Sequence, residues 1–371
     1  SDFYGGVILE FTNEVLEKMN LKKKAYNKQY SKWYYGMSEE FKENSKIYKK
    51  RSERINDCLN LWHWDKYEKN KILDLQSVNR CINNRFCPNC KLLDISKFIH
   101  KFRDVYEQYV NLGYKAYMLT LTIPSVPGEQ LRNTIDKLNK SFLKLMQKYS
   151  YDLDSKLSYS DRLIKLEGGI KVLEVTYNDI NGFHPHFHCV VFTNKAIDEK
   201  LIEKHIKGKW SNKRNDYNMK SYVDLQIGQL WSMIWYNERL TSKNINDTVY
   251  DPKEEYFKKG KKVLEVDFRE LDETGIYEVF KYTFKDTDIK NYYVFKILVH
   301  ALENKRIRQG FGILFNMQCE DIDEGEIQEL ELIEKENPVS LLTYEINELV
   351  STYRQYRKIS RFNRQIDNNI K

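Results

Sequence analysis

The stretch from Gly169 to about residue 193 constrains this chain most. It reads Gly169-Ile170-Lys171-Val172-Leu173-Glu174-Val175-Thr176-Tyr177, then the turn-rich Asn178-Asp179-Ile180-Asn181-Gly182, then a segment carrying His184, His186 and His188. Apolar, β-branched runs on either side of an Asn/Asp/Gly turn predict a β-hairpin, with the third strand over about 184–193. Alternate side chains of a strand share a face, so His186 and His188 point the same way, about 6.6 Å apart, with Phe187 turned into the core. If the turn centres near Ile180, Glu174 lies roughly opposite His186. Glu174 is otherwise an odd lone acid inside an apolar run. Two imidazoles and a carboxylate on one face predict a site for a divalent ion, and the carboxylate favours a hard one such as Mg²⁺ or Mn²⁺. A histidine-rich surface strand is the bland alternative. Three of only seven histidines at period two in 371 residues weigh against it. His184 is left open between a further ligand and a DNA contact, since Pro185 can turn it off the shared face.

A second cluster sits upstream. Cys87-Pro88-Asn89-Cys90 is a Cys-x2-Cys pair, Cys81 lies six residues earlier, and Cys58 is the natural fourth ligand, with His63 as rival. This crowding is metal-like and differs from a dispersed disulfide framework, so the chain reads as intracellular with a structural zinc site. Reduced cysteines in a small core are the alternative. Cys189 and Cys319 read as plain core residues.

Around these clusters the pattern alternates helices and strands. Residues 1–57 are basic, with Lys22-Lys23-Lys24 and Lys49-Lys50-Arg51, and Phe11, Val15 and Met19 recur at loose helical spacing for one or two helices. An amphipathic helix is expected over 96–112, with Phe98, Phe102, Val105, Tyr106 and Tyr109 on one face and Gly113 as its stop. Tyr117 to Ile123 is a strand ended by Pro124. Helices are expected over 129–165, 196–208, 222–239 and 275–288, and a fourth strand over 262–268. An acidic stretch from Glu320 to Glu336 leads past Pro338 to a helix with Arg354, Arg357, Lys358, Arg361 and Arg364. The expected fold is α+β, helices packed on an antiparallel sheet. A net charge of +7 mildly favours a polyanionic partner. No apolar run reaches membrane-spanning length, no signal-peptide layout opens the chain, and no phosphate-loop signature appears.

Glu278, Tyr282 and Lys285 fall at i, i+4 and i+7, one stripe of the helix expected over 275–288. Alone, such a stripe reads first as an exposed salt-bridged face, although a phenol, a carboxylate and an amine can also do chemistry.

Together these segments resemble the HUH endonucleases, and in particular the Rep_1 family of rolling-circle plasmid replication initiators. His184-Pro185-His186-Phe187-His188 is similar to the family's histidine motif. Met118-Leu119-Thr120-Leu121-Thr122-Ile123-Pro124 looks like its first motif, a core strand beside the active site. Leu173 to Tyr177 matches ahead of the histidines and supports Glu174 as third ligand. Glu278 to Asp288 resembles the third motif, and Leu302 to Gly312, with Lys305, Arg306 and Gly310, its closing segment. Cys81, Arg85, Cys87 and Cys90, with Glu53-Arg54 before Cys58, follow its cysteine pattern. The likeness runs over about 51–315.

The resemblance implies an RRM/ferredoxin-like HUH core with flanking helices, a small zinc-binding unit and a helical C-terminal region. Its boundaries would be a basic N-terminal region at 1–57, the zinc unit and connecting helix at 58–112, the endonuclease at 113–315, and an acidic linker with a basic helix at 316–371. It implies a bacterial cytoplasmic enzyme that binds a replication origin and nicks single-stranded or hairpin DNA. Tyr282 would be the nucleophile, Glu278 would serve the terminating cut, Lys285 would lower the phenol pKa or bind phosphate, and Mn²⁺ or Mg²⁺ would sit on Glu174, His186 and His188. A host helicase and polymerase would be recruited. The oligomeric state, a dimer among the options, is left open. Two rival readings remain at this point: a transposase or relaxase of the same superfamily, and a non-catalytic zinc-containing nucleic-acid-binding protein.

Overall fold

In a computed structural model, the described residues are 13–58, 62–67, 72–78, 80–150, 166–194, 196–212, 215–240, 264–271 and 289–317. The chain divides into two compact units. The first is Ser1–Leu92 with Ile322–Lys371, and the second is Leu93–Asp321.

In the first unit, helix α1 (Asn13–Glu40) and helix α2 (Ser45–Asn56) pack against each other as a pair joined by a short 3-10 turn. This agrees with the helical spacing of the basic N-terminal region, while Phe11 lies outside the described residues. The pair is welded by aromatics: Tyr34 stacks on Tyr48 at 6.3 Å and meets Phe86 edge-on at 6.2 Å. Tyr30, Tyr34, Met37, Tyr48 and Ile55 are buried. The Tyr34 hydroxyl accepts from Asn83 Nδ2 at 3.0 Å, and burial pushes its pKa up to about 12. A two-stranded ribbon, β1 (Trp62–Tyr67) with β2 (Ile72–Val78), completes this part. Helix α3 spans Pro88–Asn111, beginning eight residues before the expected 96–112. Pro88 begins it because the missing N–H costs nothing in a helix's first turn.

The second unit is built on a five-stranded antiparallel sheet. Its strands are β3 (Lys115–Leu121), β4 (Gly168–Asn178), β5 (Gly182–Thr193), β8 (Val266–Glu270) and β9 (Arg308–Gly312), in the order β8-β3-β5-β4-β9. Strand β5 is central, and its far half is buried on both faces. On one face, helix α4 (Gly128–Ser150) presses Phe142 against Phe187 and Phe311, at ring distances of 5.4 and 5.0 Å. On the other, Tyr106 and Tyr109 of α3 close over Phe192 at 6.2 and 5.4 Å. The expected α+β class with helices on an antiparallel sheet is what the structure shows.

Between β5 and β8 the chain forms a short helix α5 (Glu199–Ile202), a hairpin of β6 (Ile206–Ser211) and β7 (Asp216–Lys220), and helix α6 (Tyr222–Trp235). The continuous helix expected over 196–208 is therefore wrong beyond Ile202. Gly208 explains the switch: a Cβ there would lie 2.3 Å from the Asn218 carbonyl oxygen, so the bare backbone is what lets β6 approach β7. Helix α7 (Tyr292–Leu302), capped by Asn291 and packed on α4, has no counterpart in the sequence expectations. The expected segments at 151–165, 272–288 and 318–371, including Cys319 and the C-terminal helix, lie outside the described residues.

Candidate metal centre

The hairpin turn sets the register of the site. Asn178 Oδ1 accepts from the backbone N–H of Ile180 at 2.8 Å, an Asx turn, and Gly182 closes the hairpin at φ +80°, where a side chain would be strained. Asn178 thus pairs with Gly182, and four residues back along each strand Glu174 stands directly opposite His186. The pleat puts Glu174, His186 and His188 on one face. Glu174 Oε2 lies 3.3 Å from His186 Nε2 and 2.9 Å from His188 Nε2. The three ligand atoms lie within 4.8 Å of one another.

The other ring nitrogens are tethered. His186 Nδ1 lies 3.1 Å from the His184 carbonyl oxygen, which can only accept, so Nδ1 donates there and Nε2 is the nitrogen turned to Glu174. His188 Nδ1 lies 3.1 Å from Thr120 Oγ1, which β3 places directly across from it. Such partners on the far nitrogen orient metal-binding imidazoles. The sequence places Thr120 within the Met118–Pro124 motif but does not single it out as the partner of His188; its own signal is that Thr120 and Thr122 are polar within an apolar strand.

His186 Nε2 and Glu174 Oε2 face each other across 3.3 Å, a contact that either a proton on Nε2 or a metal ion between them satisfies. Burial would raise the Glu174 carboxyl, yet the hydrogen bonds and charge of His186 and His188 outweigh it and hold it down at about 2. The carboxylate is therefore ionised, as a ligand must be. The donor set fits a divalent ion.

His184 stays on the shared face, stacked on His186 at 4.9 Å, but its side chain is not among the converging ligands. Pro185 does not turn the strand. Phe183 exchanges both backbone bonds with Val126 on the β3 side, so Pro185, two residues on, directs its nitrogen the same way. The ladder between β3 and β5 ends at Leu121–Phe187, so no hydrogen bond is lost there.

In the first unit, Cys58, Cys81, Cys87 and Cys90 converge and are all buried. Cys58 and Cys90 sulfurs lie 3.6 Å apart, Cys81 and Cys90 3.5 Å, and Cys58 and Cys87 3.5 Å. Tetrahedral zinc with bonds near 2.3 Å separates its sulfurs by about 3.8 Å, so the cluster fits zinc closely. The three neighbouring thiols, and then burial, push the Cys81 thiol far up, so four thiolates here require a compensating cation. The spacing in sequence is what makes this possible: Cys87 and Cys90 lie at the start of α3, and Phe86 between them and Cys81 is anchored on Tyr30 and Tyr34. Cys189 is buried apart from both clusters, as a core residue.

Glu278, Tyr282 and Lys285 lie outside the described residues. No helix among the described residues is long and apolar enough to cross a membrane.

The Rep_1 family model, described as "Replication protein", matches residues 72–216. The chain is similar to a Protein rep from Staphylococcus aureus, 25% identical over 58% of this chain and 73% of that protein. A Protein rep from Bacillus sp is 24% identical over 67% of this chain and 71% of its own length. One from Streptococcus pneumoniae is 24% identical over 74% of each. No solved structure matches. The family reached from the histidine and cysteine motifs is the one that the whole-sequence comparison returns.

Proposed function

From its likeness to the Rep_1 replication proteins, we propose that this chain is a plasmid replication initiator that nicks one strand of origin DNA through Tyr282. The observation that carries the reading is the convergence of Glu174, His186 and His188 with their far nitrogens tethered, on a chain of that family. The domain boundaries at 58–112 and 113–315 and the HUH form of the core belong to the same proposal.

Glu174, His186 and His188 would hold a divalent ion, which supplies charge neutralisation at the scissile phosphate and eases departure of the 3′ oxygen. The Tyr282 oxygen attacks phosphorus, the bond from phosphorus to the 3′ oxygen breaks, and the products are a 5′-phosphotyrosyl chain and a free 3′-OH. A phenol with pKa near 10 is a weak nucleophile at neutral pH, and Lys285, three residues on in sequence, would favour its ionised form. The phosphodiester energy is retained in the tyrosyl ester, so a later 3′-OH can reverse the step and rejoin the strand. Glu278 gives the terminating cut a different nucleophile by deprotonating water. The four cysteines would bind zinc as structural support for the basic helical pair around them.

The test is a nicking reaction on single-stranded origin oligonucleotide with Mn²⁺. A covalent adduct mapped by peptide sequencing to Tyr282 is the expected result. Tyr282→Phe should abolish it, while Glu278→Ala should nick but release poorly. An adduct that forms normally in Tyr282→Phe would remove the assignment.

A further inference from the structure

The hairpin β6–β7 presents an unusual outward face. Its inner side chains, Ile206, Asn218 and Lys220, are half-buried, and Lys220 Nζ ties the ribbon to the sheet by donating to the Val266 carbonyl at 2.7 Å. The outer side carries Lys207, Trp210, Tyr217 and Met219, all exposed, with Trp210 44% and Tyr217 43% accessible. Trp210 and Tyr217 are cross-strand partners, held edge-to-face at 4.9 Å and 80°. Lys207 Nζ stands over the Tyr217 ring at 5.4 Å. At the base, exposed His205 meets Tyr222 edge-on at 5.0 Å, and Tyr222 is 51% accessible. The backbone bond from His205 N to the Lys220 carbonyl extends the ladder to this end. From His205 to Trp210 the row of rings runs on the order of 16 Å.

Between Ile206 and Lys220 the sequence carries Lys207, Lys209, Lys213, Arg214 and Lys220 against Asp216 alone. Flat apolar rings exposed in water among cations match a ligand that is both polyanionic and rich in free aromatic faces. Base pairs in a duplex hide their faces, and an acidic peptide has few. Unpaired nucleotides offer both. We propose that the β6–β7 hairpin is a binding surface for single-stranded DNA, with bases stacking on Trp210 and Tyr217 and Lys207 beside the phosphates. It rests on the initiator reading for the identity of the nucleic acid. It gives the exposed strand a grip outside the metal centre.

The test uses the 371-residue chain, zinc-loaded and carrying Tyr282→Phe, so that binding is read without cleavage. Fluorescence anisotropy with fluorescein-labelled oligothymidylate compares it with added Trp210→Ala/Tyr217→Ala. Affinity should fall by at least roughly tenfold if both rings stack, with a smaller loss for duplex of equal length. Trp210→Phe should restore most of it, and Lys207→Gln should flatten the salt dependence by about 0.7 in the log–log slope. Unchanged oligothymidylate affinity in the double variant, or equal losses on single strand and duplex, would overturn the surface. The two readings fail separately. If the native chain forms no tyrosyl adduct yet the ring variants lose oligonucleotide binding, the nicking chemistry falls and the surface stands. If the adduct forms and the ring variants bind normally, the reverse holds.

Discussion

Replacing Lys171 by Met should stabilise the protein near neutral pH. Lys171 lies on β4, facing α4, and is 5% exposed. Its ammonium donates to Asn139 Oδ1 at 2.6 Å and sits 4.8 Å from the ring centres of both Phe142 and Phe187, without a carboxylate partner among the described contacts. Burial lowers its pKa from 10.5 to about 8. At pH 7 the amine is protonated whether folded or unfolded, and the folded state bears the cost of the buried charge. That gap, at about 1.4 kcal/mol per pH unit, is about 3 kcal/mol. Met keeps the straight stem and removes the charge, but leaves Asn139 Oδ1 without its donor, a loss of about 1 kcal/mol because Asn139 is only half-buried. The net expectation is about 2 kcal/mol of gain at pH 7. Its pH dependence is the sharper signature. Between about 8 and 10.5 the folded amine is neutral while the unfolded one still binds a proton, so the native protein gains stability as pH rises through that window. The advantage of Lys171→Met should therefore shrink from pH 8 upward and vanish, or turn to a small deficit, by pH 10.5. Urea unfolding of both proteins at several pH values between 7 and 10.5 reads it directly. A difference that stays constant across that window would refute the argument, whatever its sign.

Thr120→Val removes the partner of His188 Nδ1 without changing side-chain shape much. Mn²⁺ affinity by calorimetry should drop about 10- to 100-fold while circular dichroism stays native; native affinity would mean that Thr120 does not orient the ring. Cys58→Ser should leave an incomplete zinc site. Zinc content of the purified, reduced protein should fall below that of the native chain, and chelation of native protein should lower near-ultraviolet circular dichroism from the buried tyrosines around Tyr34. Absence of zinc from the native chain would remove the assignment.

The hairpin at 168–193 is legible because two local signals agree: an alternating pattern that fixes faces and a turn that fixes register. Glu174 opposite His186 follows from counting. The cysteine cluster is legible for a similar reason, since ligand spacing lies within one short stretch, although placing Cys58 took the likeness to known proteins or a guess among neighbours. What pattern does not give is contact across strands distant in sequence. Thr120 reaches His188 only because β3 pairs with β5 in one particular register, 68 residues away. Ile202 and Ile206 fall at helical spacing, yet a ribbon begins at Ile206, because the close approach permitted by Gly208 and the partner strand outweigh weak local propensity. Tyr292 to Leu302 is rich in aromatic and β-branched residues, which speak for a strand, and becomes helical under the Asn291 cap with its apolar side against α4.

Pro185 has a consequence for the path of the chain. On the β3 side of β5 the ladder stops at Leu121–Phe187 and pairing resumes at Phe183, which bonds Val126; between them, residue 185 is a proline and offers no donor. The lack of one hydrogen atom thus marks where the segment after β3 leaves the ladder beside His186, to rejoin β5 at Phe183.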